Sequence, residues 1–422
     1  MSPDASPPQA GPRGRAGPFR VRSFRYQWPA DLITSWAFEM ETLILGWYIL
    51  VETGSVLWLT AFGALQFLGT FLAPMIGVAA DRIGHRPVLC AMRASYAVLA
   101  AVIATMALTG TLGPVQVLVI AVVAGLVRPS DIGMRNALIA ATMPAPLLMA
   151  AVGIGRTTAD SARVVGALTG AGLAAWLGLA QSYLAITALY GVSFLLSLGT
   201  GPTPRNPGAA LSTPLRDLRD GFVHVAHTPA LLAAVSLAFL VNLCAFPLSG
   251  GLLPYVARDV YGIDRTGLGF LSASFAAGAL CGSLLVGVIG TRVQAGRAMI
   301  LGALVWYALL LVFARVETLP LGMALLALSG FMQSLSLSPL VVLMLQAAGD
   351  AYRGRVMGAR MLAIYGLPIG LFAAGPLIER MGFHHTATFY AAFGLLCTVL
   401  IGLTWRRALW PRDALANTGR RG

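Results

Sequence analysis

The chain has 422 residues, of which 57% are hydrophobic and only 11% charged, with 48 glycines and a formal charge of +13. Soluble globular domains carry about 25% charged residues, so a water-soluble fold is excluded and most of the surface must face lipid. All 29 basic residues are arginine, and they recur in short gaps between apolar runs instead of gathering on one solvated face, which sets nucleic acid aside as a partner.

Residues 1–28 are rich in Pro, Gly and Arg with no apolar core, and read as a flexible tail rather than a cleaved signal. Beyond them, a helix rising ~1.5 Å per residue needs about 20 residues to cross a ~30 Å hydrocarbon core. Twelve segments meet that length: 29–51, 56–80, 88–109, 114–140, 146–175, 180–199, 229–252, 267–290, 297–315, 320–346, 355–379 and 386–405. The expected organisation is a tail (1–28), a six-helix bundle (29–199), a linker (200–228), a second six-helix bundle (229–405) and a tail (406–422). In the linker, Leu215, Leu218, Phe222 and Val225 recur at helical spacing beside Arg and Asp, which predicts an interfacial amphipathic helix.

Loop arginines fall mostly on one side: the two tails, Arg82 and Arg86, Arg205, Arg216 and Arg219, Arg292 and Arg297, and Arg353 and Arg355. The opposite side holds Arg258, Arg265, Arg315 and Arg380. Translocated loops avoid arginine, so both tails are assigned to the cytoplasm, with the body in a bacterial inner membrane.

Charges at membrane depth are costly and need a partner or a task. The first segment carries Glu39 and Glu41. Counted from Asp31, Glu41 lies ~15 Å deep, and Asp31, Thr34, Phe38, Glu41 and Leu45 share one helical face, while Glu39 points ~160° away. The fourth segment carries Arg128, Asp131 and Arg135, read as structural or gating pairs. In the fifth, Arg156, Asp160 and Arg163 line one stripe, with Arg156 ~15 Å deep and level with Glu41, so that a Glu41 to Arg156 contact is allowed by depth. That stripe suits either a structural ion network or substrate and proton chemistry.

The second half has no midspan acids. It offers Phe239, Asn242 and Phe246 in its first segment and Gln333, Ser334 and Ser338 in its fourth, a weakly polar and aromatic wall suited to an amphipathic organic substrate. For each polar group taken singly, a helix–helix hydrogen bond is the competing reading. Cys90, Cys244, Cys281 and Cys397 each lie singly in apolar stretches, and no histidine forms a helical metal motif, so no metal or cofactor is expected. No GxxxxGK[ST] loop is present, which leaves ion gradients as the energy source.

The halves echo each other. Gly77-Val-Ala-Ala-Asp81-Arg82 is answered by Gly287-Val-Ile-Gly-Thr291-Arg292, and Val165-Gly166-Ala167-Leu168 by Ala374-Gly375-Pro376-Leu377, at nearly equal offsets. Gly77 to Arg86 resembles the GxxxDRxGRR loop signature of the major facilitator superfamily. Gly46-Trp47-Tyr48, Glu52-Thr53-Gly54-Ser55, Ser161-Ala-Arg163-Val-Val-Gly166, Gln346 and Arg353-Gly-Arg355-Val-Met-Gly358 look like its drug- and siderophore-export branch, which includes enterobactin exporters. His85 departs from the loop signature, and Ala167 replaces the proline of the antiporter signature.

The resemblance implies an all-α membrane protein of twelve transmembrane helices in two pseudo-symmetric six-helix bundles. It places Asp81, with Arg82 and Arg86, against the region of Arg355 and Arg360 as a gate on the cytoplasmic side, Gly77 and Gly84 permitting close approach and the turn. It also implies that the first helix lines the cavity, which favours Glu41 facing substrate and Glu39 facing a neighbouring helix, with the reverse open. The function expected is proton-coupled export of an amphipathic small molecule by a monomer in contact with lipid, with Glu41, Glu39 and Asp160 as proton carriers and Arg156 and Arg163 in the substrate cavity; it is not an enzyme. Uptake, facilitated diffusion or lipid flipping is one alternative, and a non-transporting receptor or assembly factor another.

Overall fold

A computed structural model describes residues 17–202, 214–289, 294–349 and 352–410, except for side chains 74, 78, 81, 214–218 and 289. The first half comprises α1 (Arg22–Thr53), α2 (Val56–Leu65), α3 (Ala73–Ile83), α4 (His85–Leu108), α5 (Pro114–Thr142) and α6 (Ala145–Leu198). A helix α7 (Pro214–His227) leads into the second half: α8 (Pro229–Leu240), α9 (Leu253–Tyr255), α10 (Arg265–Ile289), α11 (Ala295–Phe313), α12 (Leu319–Ala348), α13 (Arg353–Leu362), α14 (Gly366–Thr404) and a short α15 (Arg406–Leu409). Among the described residues no strand occurs, and eight helical stretches are long and apolar enough to cross a membrane.

Two of those stretches are hairpins. Helix α6 is 54 residues long, yet both its ends run beside α1: Trp36 bonds Thr169 at 2.6 Å and Thr34 bonds Ser193 at 2.6 Å. It doubles back at Gly178, whose φ of 79° and ψ of −179° only glycine adopts readily. Helix α14 folds the same way at Gly382, and Tyr390 on its second arm donates to the Gly370 carbonyl of its first at 2.7 Å.

Proline explains the other interruptions. Pro74 has no N–H to offer the preceding turn, and the run between α2 and α3 tightens to a 3-10 turn at Leu68–Phe71. Between α8 and α10, Pro247 and Pro254 accompany π-helical turns at Val241–Ala245, Pro247–Gly251 and Val256–Val260. The first helix starts at Arg22 rather than at 29, so the expected first tail is shorter by that margin.

Helices pack chiefly within each half, α1 with α6 and α4 with α6 in the first, α10 with α12 and α11 with α12 in the second; α6 meets α10 and α2 meets α14 across the seam. Ser23 at the start of α1 accepts from Gly201 N at 3.2 Å, so this end, which we call the tail end, also receives the segment after α6. At the opposite, far end the halves meet closely through small residues. A Cβ on Gly269 of α10 would stand 2.4 Å from Ala171 of α6, and one on Gly375 of α14 would stand 2.6 Å from Thr60 Oγ1 of α2. Arg265 also donates to Ala174 O at 2.7 Å and Arg258 to Leu50 O. The far end is therefore sealed. Outward-facing Trp176, Met149 and Val288 are among the large apolar side chains left exposed, as a lipid-facing surface requires.

Candidate functional site

Three charged groupings lie inside the first half. Nearest the tail end, Arg93 of α4 is fully buried and donates to Asp31 at 2.6 Å, to Ser193 Oγ at 2.6 Å, to Ala30 O at 2.8 Å and to Thr34 Oγ1. Its Nε lies 3.7 Å from Asp131 of α5, which also pairs with Arg135, and Arg135 reaches Asp31 at 3.6 Å. Two carboxylates and two guanidinia thus neutralise one another where α1, α4, α5 and the second arm of α6 converge. Arg93 was not singled out from the sequence: a single arginine close to a predicted span boundary reads as a loop charge, and only the packed helices reveal it as the hub.

Deeper in, Glu41 pairs with Arg128 and accepts from Tyr190 at 2.8 Å, while Arg128 also donates to Gln66 Oε1 at 2.7 Å and lies 4.4 Å over the Phe38 ring. Phe38 packs edge-on against Tyr96 and Tyr190. The shared face of Asp31, Thr34, Phe38, Glu41 and Leu45 holds, but it looks into the core of its own half. Glu41 therefore meets Arg128 and not Arg156, and it lines a small cavity within the first half together with Leu45, Phe62, Gln66 and Arg128. Depth was counted at Cα, whereas side chains lean toward their helix N-terminus. Because α1 and α5 run in opposite directions, Glu41 and Arg128 lean toward each other, while on α6 it is Gly166 and Gly170, not Arg156, that stand level with Glu39 and Met40, which puts Arg156 about three turns nearer the tail end. Tyr190 and Gln66 complete the pair and carry no charge that would mark them in the sequence.

The third grouping borders the seam. Glu39 meets Arg163 at 3.5 Å, Arg163 lies 3.9 Å from Asp160, and Asp160 meets Arg156 at 3.3 Å, a ladder of alternating sign. The side chains of Glu39, Arg163 and Arg156 are 39%, 44% and 61% exposed, while Asp160 is 3% exposed. Exposure to lipid at this depth would cost ~2.5–3.5 kcal/mol per charge, so these groups face the cleft between the halves. Two features agree with this: on α6 the next turns, at Ala167 and Ala171, abut Gly269 of α10, and the charge of Arg156 acts on Arg360 of α13 in the second half. Gly166 makes the placement possible, since a Cβ there would stand 2.6 Å from that of Glu39. Glu39 is thus half-exposed beside Arg163, and Glu41 is buried.

The second half departs from its expected wall. Asn242 donates to Ala238 O at 2.8 Å within its own helix and its Cβ packs at Gly366; Ser334 donates to Ala279 O at 2.7 Å; and Phe246 packs edge-on against the buried Trp306. These three serve helix packing. Gln333 is buried with its Oε1 unpaired among the described residues, Ser338 is half-buried, and Phe239 is 37% exposed.

At the tail end, the Asp81 side chain falls outside the described residues, and the gate drawn through it with them. Arg82 is exposed, Arg86 donates to Leu198 O, and Arg355 lies 3.9 Å from Asp220 of α7. Gly84 turns the chain between α3 and α4 with φ 104°. Gly77 has open space where a Cβ would stand, so it mediates no close approach. A different contact bridges the halves here: Tyr365, in the 3-10 turn after α13, stacks on Phe71 with centroids 4.0 Å apart, accepts from Phe71 N at 2.7 Å and donates to Leu68 O at 3.3 Å.

Two packed helical halves around a charged cleft define a multi-pass membrane transporter, and comparison with known proteins agrees. The sequence profile of the Major Facilitator Superfamily matches residues 235–419. The multidrug efflux pump Tap of Mycolicibacterium fortuitum is 28% identical over 360 residues, 82% of this chain and 86% of its own. A POT family transporter in complex with a thioalcohol-conjugated peptide superposes with a TM-score of 0.74 at 12% identity over 92% of this chain and 96% of that one. A D-xylose–proton symporter superposes with a TM-score of 0.68 at 13% identity over 90% and 97%. The second half of the chain thus matches the Major Facilitator Superfamily, the whole has the fold of these transporters, and its similarity to an efflux pump over 82% of its length makes it a transporter, not an enzyme.

Proposed function

We infer that the protein is a proton-coupled secondary transporter that exports an amphipathic organic small molecule by alternately opening its cleft to the tail end and the far end. The asymmetry of the loop arginines supports assigning the tail end to the cytoplasm of a bacterial inner membrane, crossed twelve times by one monomeric chain. The similarity to a pump named for multidrug efflux supports the outward direction and an organic substrate.

The observation that carries the reading is the half-exposed Glu39 carboxylate 3.5 Å from Arg163 in the cleft. The Glu39, Arg163, Asp160 and Arg156 ladder is neutral when all four are ionised. Protonation of Glu39 releases Arg163 toward Asp160 and leaves the cleft with one net positive charge, a state that disfavours a cationic amphiphile. Deprotonation restores the anion that a cationic group on the substrate can replace Arg163 in meeting. Proton and substrate then compete for one carboxylate, and competition of that kind produces exchange. Glu41, sealed against Arg128, takes no proton in this scheme and holds the bundle together. Flux of a panel of organic cations, neutral amphiphiles and organic anions into inverted proteoliposomes, with and without a pH gradient, tests it. Gradient-driven accumulation of one class supports the scheme; equilibration without accumulation would indicate facilitated diffusion.

A further inference from the structure

A second pocket lies at the far end, away from the charged cleft. It opens between the end of α1, the turn of α6 and the start of α10, with about 700 Å³ of empty space counting its mouth. Leu43 and Ile44 form a buried floor, Trp47 and Tyr48 are partly exposed walls, and the rim carries Glu52 from the first half and Arg265 from the second. The two rim charges make no ion pair: Arg265 uses one nitrogen on Ala174 O at 2.7 Å, and Glu52 has no ion pair among the described residues. Both stand at helix ends, near the last residue of α1 and at the first of α10, so the rim lies at the membrane–water boundary and the aromatic pair one turn inside it.

We propose that this pocket holds the head of a zwitterionic, amine-bearing phospholipid, its ammonium on Glu52 and its phosphate on Arg265. Two opposite charges held apart are the complement of a head that carries both signs, and each can form charge-assisted hydrogen bonds once the head is seated. Trp and Tyr suit the headgroup level, and the apolar floor accommodates the first methylenes of the acyl chains. Because the rim draws one charge from each half, the occupied pocket fastens the far end in its sealed form, and opening that end would separate the two charges. This proposal is independent of the transport reading, since binding is measured without flux.

Native mass spectrometry of the full chain, released from micelles containing equal phosphatidylethanolamine and phosphatidylglycerol, tests it. The wild type is expected to retain phosphatidylethanolamine preferentially. Loss of one charge-assisted contact should lower that preference about tenfold in Glu52→Gln and also in Arg265→Gln, with Glu39→Gln unchanged. Adding soluble phosphoethanolamine separates two forms of the site: displacement of the lipid places recognition in the head alone, and Glu52-dependent retention despite it places recognition in head and chains together. Unchanged lipid ratios in both rim variants, each shown to be folded by an unaltered thermal midpoint, would overturn the proposal.

Discussion

Glu41 and Arg128 stand on antiparallel helices and close their ion pair inside the first half, with Tyr190 donating to the same carboxylate oxygen at 2.8 Å. Their contact does not cross the seam, so it need not break when the halves rock. Removing one partner strands the other in a buried setting, a loss of about 3–5 kcal/mol. Glu41→Gln and Arg128→Gln should each lower the thermal midpoint in detergent, and the double variant should lose much less than the sum. Additive losses in this double-mutant cycle would mean that the pair contributes no coupling.

Arg93 makes a stricter case, because one guanidinium serves Asp31, Ser193, Thr34 and Ala30 O together. Arg93→Met leaves Asp31 and Asp131 with Arg135 alone. We expect a destabilisation at the upper end of the same about 3–5 kcal/mol range, seen as poor recovery of monodisperse protein on size-exclusion chromatography, and partial rescue when Asp131→Asn is added.

The sealed far end rests on glycine. In Gly375→Leu the new side chain meets Thr60 Oγ1, already 2.6 Å from a bare Cβ, and Leu57 Cδ2 at 2.9 Å. The variant should populate the far-end-open form. A cysteine placed at Val51 on a cysteine-free background would then react faster with a membrane-impermeant maleimide than in the parent. An unchanged rate would mean that the seam closes elsewhere.

At the tail end, Tyr365→Phe keeps the stack on Phe71 and removes the hydroxyl that Phe71 N and Leu68 O share. Two hydrogen bonds at about 0.5–1.5 kcal/mol each are at stake. A shift toward tail-end opening is expected by pulsed spin-label distance measurement between α3 and α13, smaller than that produced by Tyr365→Ala.

Long apolar helices were legible because the length they need follows directly from the bilayer. Helix periodicity likewise grouped Asp31, Thr34, Phe38 and Glu41 correctly, and it put Arg156, Asp160 and Arg163 on one stripe. What it could not supply was the direction in which each face looks. Glu39 and Glu41 were separable by angle, but the neighbour each one meets depends on how α5 and α6 pack around α1, and on the backward lean of side chains that sets Glu41 level with Arg128. Arg93, Tyr190 and Gln66 stayed hidden for a related reason, as one resembles a boundary arginine and the others carry no charge. In the second half, Asn242 and Ser334 have the polarity of cavity residues, yet Asn242, in the π-helical turn after α8, donates to Ala238 O, and Ser334 of α12 donates to Ala279 O.

Substrate flux in inverted proteoliposomes with an imposed pH gradient decides whether Glu39 or Glu41 carries the proton. Glu39→Gln is permanently uncharged: it should still bind and exchange substrate across the membrane, and should lose accumulation driven by the gradient. Asp160→Asn, which removes the carboxylate between Arg163 and Arg156, should weaken coupling, whereas Glu41→Gln, once corrected for the amount of folded protein, should accumulate substrate as the parent does. Gradient-driven accumulation that survives Glu39→Gln and disappears in folded Glu41→Gln would contradict the account.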